Sequence, residues 1–114
     1  MHAEWTSTEA AILSATPTMR VIAGVDPPMS VTGRRGAEVG MVVVDGRLYV
    51  RGRNATWVRW AVAQRRGWIR TGTIDRAVTF ARYDGPPDAI DAAYSAKYGN
   101  PNTQEITLRV EPID

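Results

Sequence analysis

The sequence predicts an α+β fold in which six short strands form a small barrel and three helices pack outside it. Three observations carry that expectation. Asp45-Gly46 sits between two runs of strand-forming residues, the pattern of a tight β-hairpin. Three stretches with helix start and stop signals are scattered among the strands, without the regular alternation of a doubly wound parallel sheet. Apolar residues make up 44% of the 114 and charged residues 23%, a globular mix with enough chain for one core.

Each element follows from local chemistry. Thr6-Ser7-Thr8-Glu9 reads as a capping box, with Trp5 placed as a hydrophobic staple, so a helix is expected from Ser7 to Ala15, with Pro17 beyond its end. Thr18 to Val25 reads as a strand, broken by Asp26-Pro27-Pro28 and followed by a charged loop over 30–37. The hairpin joins Val39–Val44 to Arg47–Arg51, and alternation sets Arg47, Tyr49, Arg51 and Arg53 on one face and Leu48 and Val50 on the other. Asn54 is placed to cap a helix from Ala55 to Arg66 that Gly67 stops, with Trp57, Trp60, Ala61 and Gln64 on one stripe. Trp68–Thr73 and Ala77–Tyr83 read as strands, with Val78 and Phe80 in the core. After Gly85-Pro86-Pro87, Asp88 is expected to cap a helix through Tyr98, ended by Gly99 and Pro101. Its inner face would carry Ile90, Ala93, Tyr94, Lys97 and Tyr98. Gln104–Val110 forms the last strand, with Ile106, Leu108 and Val110 inward, and the chain reads as one domain over 1–114.

What is missing narrows the chemistry. With no cysteine and one histidine, the common zinc sites and a cysteine nucleophile are excluded, and no metal site is expected. A Ser-His-Asp triad would need His2, at a frayed terminus. No apolar run approaches the roughly 20 residues that span a bilayer, and no signal peptide is visible, so a cytoplasmic protein with no membrane partner is expected. Charge is uneven: residues 47–76 hold eight arginines and one acid, Asp75. So basic a segment implies an anionic ligand, an acidic partner or an acidic face of the same protein, or else a solvated surface with snorkelling stems. Nothing beyond charge supports a nucleic-acid partner.

Several motifs in order carry a resemblance: E-W-T-S-T-E from Glu4, D-G-R-L-Y-V-R from Asp45, N-A-T-W from Asn54, G-W-I-R-T-G from Gly67, V-T-F from Val78 and I-D-A-A-Y-S-A-K-Y-G from Ile90. Together they resemble a family of small bacterial proteins known as a domain of unknown function. That family resembles, at greater distance, the deazaflavin-dependent nitroreductases and the FMN-binding split barrels. The resemblance implies a six-stranded split β-barrel, a homodimer, and a flavin or deazaflavin in a groove at the dimer interface. Carried over residue by residue, it assigns Arg51 and Arg53 to the cofactor phosphate, Trp57 to the aromatic position at the helix start and Arg70 to a polar position on the next strand. Guanidinium groups on one strand face suit a phosphate clamp.

Each residue also has a plainer reading. Arg51 and Arg53 could form salt bridges, to Glu38 or Asp45 for example, and Trp57 and Trp60 could be helix-to-barrel packing. Asp91, Tyr94 and Lys97, spaced by threes, could make Tyr94 and Lys97 a proton-transfer pair; the plainer reading buries Tyr94 and Tyr98 against the barrel and lets Lys97 snorkel. Two functions follow. One is an oxidoreductase using FMN or a deazaflavin on a small organic substrate. The other has no cofactor and uses the same groove to bind a small molecule, as a binding protein or as an isomerase or cyclase. The separating feature is whether Arg51 and Arg53 face an open groove or are occupied by acids.

Overall fold

A computed structural model describes residues 4–23, 37–52, 56–101 and 105–113. The expected break at Asp26-Pro27-Pro28, most of the charged loop after it, Arg53, the Asn54 cap and Gln104 lie outside these residues. The described elements run α1 (Ser7–Ala15), β1 (Met19–Ala23), β2 (Ala37–Val39), β3 (Met41–Val44), β4 (Arg47–Gly52), α2 (Thr56–Gln64), β5 (Arg66–Thr71), β6 (Ile74–Arg82), α3 (Asp88–Tyr98) and β7 (Ile106–Pro112).

The helix α1 starts as its sequence dictates. The Glu9 amide donates to Thr6 Oγ1 at 3.1 Å, and the Thr6 amide donates to Glu9 Oε1 at 3.0 Å. Asp45 and Gly46 take φ of 52° and 75° and turn β3 into β4 in the expected two-residue hairpin. Three local expectations are corrected. Arg65 adopts φ 60°, which stops α2 at Gln64 and lets β5 begin at Arg66 instead of after Gly67. Gly72 takes φ 52° in a second tight turn, so β6 starts at Ile74 and includes Asp75 and Arg76. Pro87, not Asp88, is the N-cap of α3, and Asp88 lies in its first turn, where a carboxylate still favours the helix dipole.

The sheet has seven antiparallel strands, ordered β2-β1-β5-β6-β7-β4-β3. The expected six become seven because the single strand foreseen over Val39–Val44 is divided at Gly40. This division explains the architecture. The two edge strands of the sheet, β2 and β3, are consecutive in the chain and separated by that one glycine. A sheet whose opposite edges share one linking residue has to curl until the edges meet, giving a nearly closed barrel.

The barrel interior holds Val21, Met41, Leu48, Val50, Ile69, Val78, Leu108 and Val110, all essentially inaccessible, with Phe80 beside them. Helices α1 and α2 add Leu13 and Ala61 to this core. Helix α3 instead lies across the outer face of β3 and β4, where Ile90 and Tyr94 cover Val42 and Tyr49. Strand β4 is therefore buried on both faces. Each such apolar side chain contributes roughly 1.5–3 kcal/mol on burial. Trp60 departs from the expected stripe: Val58 and Ala61 turn inward, while Trp60 is 46% exposed.

Candidate functional site

The link at Gly40 leaves backbone groups that no strand partner satisfies, and α3 supplies side chains to meet them. The Tyr94 hydroxyl donates to the Gly40 carbonyl at 3.0 Å and accepts from the Arg51 amide at 2.8 Å. The Tyr98 hydroxyl accepts from the Met41 amide at 2.8 Å and lies 2.8 Å from the Pro17 carbonyl and 3.0 Å from that of Met41. Lys97 Nζ donates to the carbonyls of Met41 at 2.7 Å and Leu13 at 3.2 Å. Positions 94, 97 and 98 share one helical face, so one α3 surface fastens the corner where the barrel closes. Gly40 has to be small there: a Cβ would stand 3.0 Å from Tyr98 Cζ, in a ring held by hydrogen bonds.

Beside this latch is a groove of ≈ 570 Å³ whose lining includes Arg51, Gly52, Trp57, Tyr94, Tyr98 and Glu105. Its floor is shaped by the close approach of α2 to β4. A Cβ on Gly52 would meet Trp57 Cζ2 at 2.6 Å and Val58 Cγ2 at 2.6 Å, so only glycine lets the Trp57 ring lie against the strand. Another hollow of ≈ 440 Å³, lined in part by Trp5, Arg47 and Arg109, contains none of the candidate site residues Arg51, Trp57, Arg70, Tyr94 and Lys97.

Arg51 faces α3 and is built into the protein. Its side chain is 3% exposed. Nε donates to Thr107 Oγ1 at 2.9 Å, and Nη1 donates to the Pro101 carbonyl. Asp91 Oδ1 lies 2.6 Å from Nη1, as a charge contact without hydrogen-bond geometry. The guanidinium carbon also sits 5.4 Å from the Tyr94 ring centroid. The acid is therefore Asp91, not Glu38 or Asp45. Asp91 shares the helical face of Tyr94, and that spacing was the one sequence signal for the pair.

The structure brings Arg51, Trp57 and Tyr94 to one groove and leaves Arg70 elsewhere. Strand β5 is separated from β4 by β6 and β7, and Arg70 is exposed, with its Nη2 3.1 Å from Asp75 Oδ2. Lys97 belongs to the latch. Glu105 and Gly52 are groove residues to which the sequence assigned no role, and Tyr98, expected only to pack against the barrel, borders the groove as well; Glu105 becomes visible only once β7 is registered against β4, with Ile106 opposite Gly52.

Electrostatics follow burial. Burial pushes the Tyr94 phenol well above its ordinary range, against the lowering effect of the Arg51 amide. Burial likewise raises Tyr98 and lowers Lys97. On the far side, burial alone would raise Glu9, but its hydrogen bonds from Thr6 and the Arg76 guanidinium at 3.1 Å bring it below its ordinary value. The basic middle segment thus finds part of its counter-charge within the same chain, Arg51 on Asp91 and Arg76 on Glu9.

Residues 22–112 match the family described as an uncharacterised protein conserved in bacteria, DUF2255. The chain belongs to this family. The match runs from β1 through β7 and so includes both the hairpin and the α3 latch of this DUF2255 barrel. No curated protein matches the chain. Among the described residues, no helix is long and apolar enough to cross a membrane, and no group of histidine or acidic side chains is arranged to hold a metal ion.

Proposed function

We propose that the DUF2255 chain is a small-molecule-binding barrel that works through the groove beside α3, without a flavin phosphate held at Arg51. The occupation of Arg51 carries this reading. Two of its nitrogens are engaged, its side chain is buried, and a carboxylate stands where a phosphate would have to approach. A second anion there would meet Asp91 at close range in a poorly solvated setting, which is unfavourable. Arg70 offers no replacement, since it lies three strands from β4 and is paired with Asp75.

Binding fits the groove better than isomerase or cyclase chemistry. The Tyr94 hydroxyl donates to one backbone group and accepts from another, and burial favours its neutral form. A proton-transfer group needs a pKa near the working pH and a free path to substrate. Asp91 is tied to Arg51 and Lys97 to two carbonyls.

One observation favours the second reading, a flavin- or deazaflavin-dependent oxidoreductase acting as a homodimer. Arg51 and Trp57 line a single groove, as a resemblance to the split barrels and nitroreductases implies. There the bound flavin would supply hydride transfer and the protein would orient it; the phosphate would fall to Arg53. Titration with FMN and with a deazaflavin, followed by tryptophan fluorescence, separates the two. The expected result is no saturable change. Saturable binding that is lost in Arg53→Ala would establish the second reading instead.

A further inference from the structure

We propose that the groove selects small organic cations, an ammonium group on a compact apolar body, over anions and neutral molecules of the same shape. This rests on the small-molecule reading above and adds its charge class.

The charges that line the described groove do not cancel. Arg51 is offset by Asp91 at 2.6 Å. Glu38 is offset by Arg20 at 3.3 Å and also accepts from the Thr18 hydroxyl at 3.1 Å. Glu105 has no partner among the described residues, is half-buried, and lines the same groove as Tyr94. Two opposed pairs and one unopposed carboxylate leave the described lining with a surplus negative charge. Lys97, the nearby amine, is turned to the Leu13 and Met41 carbonyls and is not part of the lining.

The walls favour the same ligand. Trp57, Tyr94 and Tyr98 all border the cavity. Aromatic faces carry partial negative charge and attract ammonium groups, more strongly where water is excluded. Tyr94 and Tyr98 already do so within the protein: the Arg51 guanidinium lies 5.4 Å from the Tyr94 ring centroid and Lys97 Nζ 5.3 Å from that of Tyr98. Trp57 has no such cation of its own among the described residues, and it stands in the groove with Glu105. An ammonium ligand would supply the charge that no described residue gives this ring and this carboxylate.

The test uses benzylammonium, benzyl alcohol and benzyl phosphate, which share one body and differ in charge. Each is titrated into the protein labelled with ¹⁵N-tryptophan. The four indole signals are read by NMR, and that of Trp57 is assigned from its loss in Trp57→Phe. Benzylammonium is expected to shift the Trp57 signal saturably, and Glu105→Gln to weaken that binding roughly fivefold while leaving benzyl alcohol unaffected. An unchanged thermal midpoint shows that Glu105→Gln is folded. Equal or tighter binding of the alcohol or phosphate, or no effect of Glu105→Gln, overturns the charge selection and leaves the groove reading intact. If none of the three moves the Trp57 signal up to about 10 mM, far weaker than a specific site allows, the groove reading itself fails.

Discussion

Arg51 and Arg70 were drawn from the same expectation, yet the fold uses them in opposite ways. Both are strand arginines, and both end on an aspartate. Arg51 is 3% exposed beside an Asp91 that is 28% exposed, whereas Arg70 and Asp75 are 48% and 47% exposed. The difference arises from what covers each strand. Helix α3 lies over the outer face of β4, while the face of β5 that carries Arg70 stays open to water. Strand alternation decides which side an arginine points to; the element packed on that side decides whether it is a ligand-seeking cation or a structural one. Water screens the Arg70 pair, but Arg51 has water replaced by Asp91, Thr107 and Pro101.

The largest expected effect breaks this comparison from the buried side. Arg51→Ala should cost about 3 kcal/mol in denaturant unfolding, because it strands Asp91 and the polar groups that Arg51 met. A loss under about 1 kcal/mol would place Arg51 in the class of Arg70 and weaken the argument that it is unavailable to phosphate. Next is Tyr94→Phe, which leaves the Arg51 amide and the Gly40 carbonyl without their partner and should cost about 2 kcal/mol. This substitution also has a pH signature. Tyr94 and Tyr98 are raised above the ordinary phenol value of 10.0, so the stability they contribute is fully present below pH 10.0 and is lost as pH climbs above it. The alkaline decline should be shallower in Tyr94→Phe than in the parent protein; an equal slope would mean that Tyr94 already ionises freely in the fold. The smallest effect sharpens the comparison from the exposed side. Asp75→Asn should change stability by no more than about 0.5 kcal/mol, since Arg70 and Asp75 are half exposed and the amide oxygen can still accept from Trp68 Nε1, which donates to Asp75 Oδ1.

The sequence made one level of this structure legible and hid the next. The Thr6–Glu9 box, the Asp45-Gly46 turn and the inward placement of Leu48, Val50, Val78 and Phe80 depend on residues near one another in the chain, and all are found. The division of the second expected strand was not legible, because Val39-Gly40-Met41 continues the strand pattern and only closure of the sheet reveals the corner. The early end of α2 was hidden for a similar reason: Arg65 takes a left-handed conformation that its residue type does not announce. At the site, sequence placed Arg51, Trp57 and Tyr94 among the residues of interest, and the fold unites them. It could not say that Asp91 would reach Arg51 or that Glu105 would line the groove without a partner among the described residues, since both facts depend on how α3 and β7 dock against β4.

Gly40 also bears on how these molecules behave in a crowd. Open sheets end in rows of bare amides and carbonyls, and such margins recruit strands from neighbouring chains. Here the two margins are a three-residue and a four-residue stretch of one continuous segment, folded back toward each other and pinned from outside by two phenols and an amine. A stray strand finds only a short, already fastened seam to pair with. The corner that closes the barrel therefore also serves as a guard against templated aggregation, a protection that derives from connectivity and adds to that of the charged Glu38 on β2.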